Sequence, residues 1–145
     1  MERCVIHLFG ASGSGISTLG RFIADRMDCF FMDTDDYYWQ PTDPKYTTSR
    51  PIPERLELMQ RDIAAHKRVV ISGSLVDWGD GLIPLFTLAI RVETPTAVRI
   101  ARLRARERAR FGSRLDPDGD MYAQHEKFIR WAADYDEGDI HMRSK

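Results

Sequence analysis

The sequence predicts an α/β fold in which helices cover a parallel sheet, and three observations carry that prediction. Short apolar runs rich in β-branched residues alternate with longer segments of helical periodicity. The first run feeds straight into a glycine-rich loop, and the next two end on Asp33 and Gly73. Continuous apolar runs are what strands covered on both faces look like, and strand-helix alternation is the mark of parallel sheets.

"CVIHLFG" (4–10) is the first strand. "STLGRFIADRM" (17–27) sets Leu19, Phe22, Ile23 and Met27 at helical spacing, and "CFFMD" (29–33) is the second strand. A polar, proline-containing stretch follows over 34–51. "PERLELMQRDIAAHK" (53–67) then opens a helix on Pro53 and repeats Leu56, Met59 and Ile63. "RVVISG" (68–73) and "LFTLAIRVE" (85–93) are the third and fourth strands. Thr94-Pro95 reads as a cap and first-turn pair for a helix through "TAVRIARLRARERARF". "GSRLDPDGD" (112–120) breaks that helix, and "MYAQHEKFIRWAADYDE" (121–137) resumes one, with Tyr122, His125, Phe128, Ile129 and Ala132 on one side. The two helices and their connection, about 104–122, form an expected lid. At 145 residues, without linker or repeat, the chain reads as one domain over 1–145.

Composition narrows the function. With 21 Lys and Arg against 22 Asp and Glu, nothing draws the whole chain to nucleic acid, and no motif of stacking aromatics supports such a partner. No apolar run approaches the roughly 20 residues of a membrane span, and the N-terminus lacks the apolar region of a signal peptide, so a cytoplasmic protein without a membrane partner is expected. Cys4 and Cys29, both in apolar runs, fit a reducing compartment and are expected to be buried. His7, His66, His125 and His141 show no metal-ligand spacing.

Residues 10–18, "GASGSGIST", follow the pattern G-x-x-x-x-G-K-[ST] at Gly10, Gly15, Ser17 and Thr18, with Ile16 at the lysine position. Gly10, Gly13 and Gly15 let the backbone bring N-H groups close to phosphate oxygens, and the helix that follows directs its positive end at the same anion. A polyphosphate ligand is expected on Gly10, Ser12, Gly13, Ser14, Gly15, Ile16, Ser17 and Thr18. The Ser17 hydroxyl, before that of Thr18, is offered to a magnesium ion.

Asp33 and Asp35 in "FFMDTDD" lie at the carboxyl end of the second strand, where open α/β sheets place their ligands. An Asp-x-Asp pair can divide metal binding from contact with an acceptor hydroxyl, and it can equally end the strand as an Asx turn helped by Asp36. Tyr37, Tyr38 and Trp39 follow, either to stack on an acceptor or to pack beneath the loop, and Trp78 is a candidate for the same cleft. Seven arginines lie between 99 and 114. Arg99, Arg102, Arg106 and Arg110 share one helix face, solvated or paired with acids in the ordinary case. Arg106, Arg110 and Arg114, nearest the 112–120 loop, are the candidates to stabilise a transferring phosphoryl group.

"HLFGASGSGISTLGRFIADRMDCFFMDTDDYYW" resembles the opening of small P-loop kinases of the shikimate kinase, gluconate kinase and adenylate kinase group. The Asp-Thr-Asp is most similar to shikimate kinase, which implies Asp33 on the metal side and Asp35 against the acceptor. "VVISGSL" is similar to the glycine-containing end of the third strand in that group, implying a substrate contact at Gly73. Arg50 and Arg55 fall where such kinases hold the acceptor's anionic group, though both positions also suit solvated side chains. The resemblance implies a three-layer P-loop NTPase fold with about four parallel strands, helices on both faces and a helical lid. It also implies MgATP as cofactor and transfer of phosphate to a small-molecule hydroxyl or a nucleotide.

Three departures shape the expectation. Ile16 removes a charge that would follow the β- and γ-phosphates, which costs about 1.5 to 3 kcal/mol of charge-assisted hydrogen bonding. "RVVISGSLVDWGD" has no acid inside its apolar run, leaving Asp33, or Asp77 and Asp80, as metal-side carboxylates. The chain stops at "HMRSK", where such kinases continue into a fifth strand and an adenine-holding loop, so an incomplete base pocket is expected, and a monomer or a homodimer covering the open sheet edge. The alternative is a nucleotide- or phosphate-binding module whose catalysis is weak or lost. A hydrolase or guanine-nucleotide switch lacks a water-positioning glutamine or a base-reading motif.

Overall fold

Four short strands form one parallel sheet in the order β2-β3-β1-β4 in the computed structural model, which describes residues 2–137; His141 lies outside the described residues. The strands are β1 (Cys4–Phe9), β2 (Phe30–Asp33), β3 (Arg68–Ser72) and β4 (Leu88–Arg91). Parallel registers set Val5 beside Val69, Ile6 beside Leu88, and Asp33 beside Ser72. Side chains alternate across the sheet. Val5, Met32, Val69 and Ile71 pack with Met59 and Ile63 of α3 (Ile52–Ala65), while Ile6, Leu8 and Val70 pack with Ala24 and partly buried Leu19 and Ile23 of α1 (Ile16–Met27). Helix layers on both faces explain why these strands read as uninterrupted apolar runs.

The described chain divides into two compact units. One comprises the residues up to Gly10 together with Gly15–Val92, and holds the whole sheet; the other comprises Ala11–Ser14 together with the residues from Glu93 onward. In the second unit α4 (Thr96–Phe111) and α5 (Tyr122–Ala133) pack through Leu103, Ile129 and Ala132, supported by Ile100, Phe128 and Trp131. A 3₁₀ turn over Gly112–Leu115 joins them.

Several elements depart from expectation for physical reasons. The polar stretch after β2 begins with a short helix, α2 (Thr34–Tyr38), because the Asp33 carboxylate caps it by accepting from the Asp35 N-H at 3.0 Å. The fourth strand starts only at Leu88, since Asp80–Leu85 coils into a 3₁₀ turn containing Pro84. Thr94 is not the cap of α4. Pro95 holds that position, and the Thr94 hydroxyl donates instead to the Ser14 carbonyl at 3.1 Å. On α1, Phe22 is exposed and lies under the Arg26 guanidinium. Cys4 and Cys29 are half-buried free thiols rather than core residues. Among the described residues no helix is long and apolar enough to cross a membrane.

Candidate phosphate-binding site

The loop that follows β1 turns on two left-handed glycines, Gly13 at φ 82° and Gly15 at φ 90°. Gly15 occupies the cap position of α1, and the first helical hydrogen bond runs from the Leu19 N-H to the Gly15 carbonyl at 2.9 Å. The amides of Ile16, Ser17 and Thr18 therefore precede any acceptor inside the helix. No acid occupies the first turn to compete for its positive end. The Ser14 N-H closes the loop on the Ala11 carbonyl at 3.0 Å, and the Ser14 hydroxyl is buried without a hydrogen-bond partner among the described residues.

Ile16 has no polar task at the lysine position. Its side chain packs with Ile6, Leu8, Ala24 and Val70, and its carbonyl accepts from the fully buried Ser72 hydroxyl at 2.9 Å. Gly20 allows this closeness, because a Cβ there would collide with the Ser72 hydroxyl. Neither Ser72 nor Gly20 is singled out by the loop pattern. The signal available was a glycine inside a helical stretch, which marks a close approach.

Ser17 and Asp33 come together as the sequence suggests, with the Ser17 hydroxyl 3.3 Å from Asp33 Oδ2. Asp33 is also the Asx-type cap of α2, with Oδ1 on the Asp35 N-H and Oδ2 facing Ser17. Asp35 is exposed in the first turn of α2, and its backbone N-H is the one Asp33 holds. Burial, aided by the Asp33 carboxylate, raises the pKa of the neighbouring Asp36 carboxyl above the usual carboxylate range. Asp77 and Asp80 are exposed.

The aromatic cluster divides. Tyr37 is core, with its hydroxyl donating to Asp62 at 2.7 Å, and burial together with that carboxylate pushes its phenol well above the ordinary value. Tyr38 lies under the Arg55 guanidinium at 3.9 Å, and the ring of Trp78 lies 5.4 Å from the same group. Arg55 is buried, yet the one hydrogen bond of its guanidinium among the described residues goes to the Arg50 carbonyl, and no carboxylate there pairs with it. Trp78 is 6% exposed and its indole N-H has no partner among the described residues. Arg50 is the opposite case, tied to Glu54 at 2.8 Å and to the Tyr37 carbonyl at 3.1 Å. Gly73, at φ 126°, is fixed by packing. A Cβ there would collide with the Thr34 hydroxyl, its N-H donates to Leu8, and its carbonyl lies 2.8 Å from His7 Nε2.

The arginines of α4 differ sharply in surroundings. Arg114, in the turn after it, makes a two-point pair with Asp120 at 2.9 and 2.8 Å. Arg108 pairs with Asp116 at 2.8 Å, Arg104 with Glu126 at 3.3 Å, and Arg106 lies 3.8 Å from Glu107. Arg110 is exposed. Arg99 and Arg102 instead address the loop, with Arg102 Nη1 3.4 Å from the Gly13 carbonyl and Arg99 Nη1 3.4 Å from that of Ser12.

A parallel sheet whose first strand runs into a glycine-rich loop and a helix is the P-loop NTPase fold. A gluconokinase from Sinorhizobium meliloti 1021 superposes with a TM-score of 0.53 at 22% identity, over 71% of this chain and 65% of that one. The chain thus spans just under two thirds of that kinase's length, and at this identity the likeness bears on the fold. A shikimate kinase from Bacteroides thetaiotaomicron gives a TM-score of 0.49 at 19% identity, over 92% of this chain and 79% of that one. No family model matches the chain. It is 39% identical over 140 residues to "Uncharacterized protein YqaC" of Bacillus subtilis (strain 168), covering 97% of this chain and 77% of that protein. The chain belongs to the family of YqaC.

Proposed function

We propose that this protein transfers the terminal phosphoryl group of ATP to a hydroxyl of a small acceptor that carries an anionic group. The observation that supports this most is the approach of Ser17 to Asp33, 3.3 Å between a hydroxyl and a carboxylate at the end of the phosphate loop. The Ser17 hydroxyl and the Asp33 carboxylate are oxygen donors of the kind that would hold magnesium. When bound, magnesium neutralises phosphate oxygens.

In this reading the amides from Gly10 to Thr18 cradle the phosphates. Asp35 accepts a hydrogen bond from the acceptor hydroxyl and draws its proton as the new P-O bond forms and the bond from the terminal phosphorus to the bridging oxygen breaks, with ADP leaving. Arg55 takes the acceptor's anion, because a buried guanidinium oriented by Tyr38 and lacking a carboxylate has donors to spare. Arg50 supports Arg55 through its carbonyl, and Tyr38 and Gly73 border the acceptor. Arg106, Arg110 and Arg114 belong to a lid and steady the transferring group, Arg114 only after releasing Asp120.

The inward packing of Ile16 favours a second reading, a phosphate-binding module of slight catalysis. One experiment decides. MgATP turnover is measured over hydroxyl acceptors with and without an anionic group, on wild type, Asp35→Asn and Arg55→Gln. The kinase reading expects turnover with anionic acceptors, loss of kcat of at least about 100-fold in Asp35→Asn, and a raised acceptor KM in Arg55→Gln. MgATP binding without turnover on any acceptor supports the module, and no binding of any phosphate compound defeats both.

A further inference from the structure

Arg99 is fully buried, and its guanidinium is spent mainly on backbone carbonyls. Nε donates to the Thr94 carbonyl at 3.1 Å, Nη1 to Ala132 at 3.0 Å and to Ser12 at 3.4 Å, and Nη2 to the Thr96 hydroxyl at 3.0 Å. Among the described residues the carboxylate that pairs with it, Asp136, stands 3.6 Å away and is 62% exposed, so solvent screening leaves its compensation partial. A buried cation is ordinarily matched by a close, hydrogen-bonded carboxylate. With Asp136 exposed and the Tyr135 ring 5.7 Å away, part of the positive charge is left to act on what lies next to it.

What lies next to it is the tip of the phosphate loop. Arg99 holds the Ser12 carbonyl, and because the peptide is planar and trans, the Gly13 N-H in the same plane points the opposite way. Gly13 is pressed against α4 so closely that a Cβ would come within 2.6 Å of the Arg99 carbonyl. Loop and helix are thus in backbone contact at the residue that presents this amide. Ile16, meanwhile, brings no charge to the loop.

We propose that Arg99 is the positioning residue that replaces the missing lysine: from behind the loop it fixes the Ser12-Gly13 peptide with its N-H toward the ligand and supplies the positive charge that position 16 lacks. This rests on the phosphate-binding reading of the loop. It makes no contact with the ligand and acts through the peptide and through its field, so its effect grows with the number of ligand phosphates. A purely structural arginine would affect all ligands alike.

The test is the affinity of wild type, Arg99→Lys, Arg99→Gln and Asp136→Asn for AMP, ADP, ATP and inorganic tripolyphosphate, with a thermal melt for each variant. Arg99→Gln is expected to weaken ATP and tripolyphosphate about tenfold and AMP about twofold or less, with Arg99→Lys recovering most of the loss. Asp136→Asn, an exposed change that leaves more of the arginine's charge uncompensated, is expected to tighten ATP about two- to threefold and keeps the test open should Arg99→Gln fail to fold. Equal weakening of every ligand in Arg99→Gln, or unchanged ATP affinity in Asp136→Asn, overturns the proposal. If wild type binds none of the four, the phosphate-binding reading itself falls.

Discussion

The Ser72 hydroxyl donates to the Ile16 carbonyl at 2.9 Å, so the residue at the lysine position of the loop is held by its backbone while its side chain packs among Ile6, Leu8 and Val70. The geometry of the first turn of α1 therefore does not depend on what side chain position 16 carries. Ile16→Lys is expected to keep the fold, because a lysine stem can lie along the same apolar surface while its ammonium reaches solvent. The lost burial costs about 1 kcal/mol, and the added charge is expected to tighten ATP about tenfold or more. Calorimetric titration with a parallel melt measures both. An unchanged ATP affinity would mean that a charge at position 16 does not reach the ligand.

Asp33 serves α2 through one oxygen and faces Ser17 with the other, which lets substitution separate the two duties. Asparagine caps helices about as well as aspartate, so Asp33→Asn is expected to change stability by only a few tenths of a kcal/mol. It removes the charge a divalent ion would use. If Asp33 belongs to the metal site, the magnesium concentration giving half-maximal ATP binding rises about tenfold or more, with magnesium-free binding unaltered or slightly improved. A magnesium dependence identical to wild type would confine Asp33 to capping.

Gly73 combines a φ of 126° with a Thr34 hydroxyl standing where a Cβ would go. Both features penalise any side chain, and Thr34 is buried in the first turn of α2 and cannot withdraw without disturbing the cap that Asp33 provides. Gly73→Ala is expected to destabilise the protein by about 2 to 4 kcal/mol, read as a lower urea midpoint at unchanged slope. A loss below about 0.5 kcal/mol would show that the end of β3 relaxes freely.

Strand and helix identities were legible because periodicity reports burial. β3 reads "RVVIS", and Val69 and Ile71 indeed face α3 while Val70 faces α1. Ser17 and Asp33 were legible as partners because loop and strand end must converge at the carboxyl edge of a parallel sheet. Arginine was not legible in this way. Arg99, Arg106 and Arg114 look alike in sequence, yet one is buried on carbonyls, one sits beside Glu107 and one is chelated by Asp120. For Arg99 the partners lie 33 and 87 positions away, and for Arg114 the pairing depends on a turn's geometry, neither of which periodicity encodes. Arg55 was visible only as a charge near a helix start; its stacking on Tyr38 needs the polar stretch from 39 to 50 to fold back, as the Trp39–Ser49 bridge shows it does.

His7 yields a prediction that needs no ligand. Its ring is buried on β1, stacked with Phe9 at 5.4 Å and tilted against Phe86 at 4.9 Å, with Nε2 on the Gly73 carbonyl. Burial outweighs that hydrogen bond and lowers the imidazole pKa below its ordinary value of 6.5. The unfolded chain then binds a proton more readily than the folded one, so stability rises with pH in that window. The contribution is complete above about pH 6.5 and fades as pH falls from there through the lower folded value. His7→Gln keeps an N-H donor for Gly73 and cannot titrate. Urea unfolding at intervals from pH 5 to 8 is expected to show a smaller loss of stability on acidification in His7→Gln than in wild type, with the two curves parallel above pH 7. Curves that run parallel throughout would show that His7 binds its proton equally in both states.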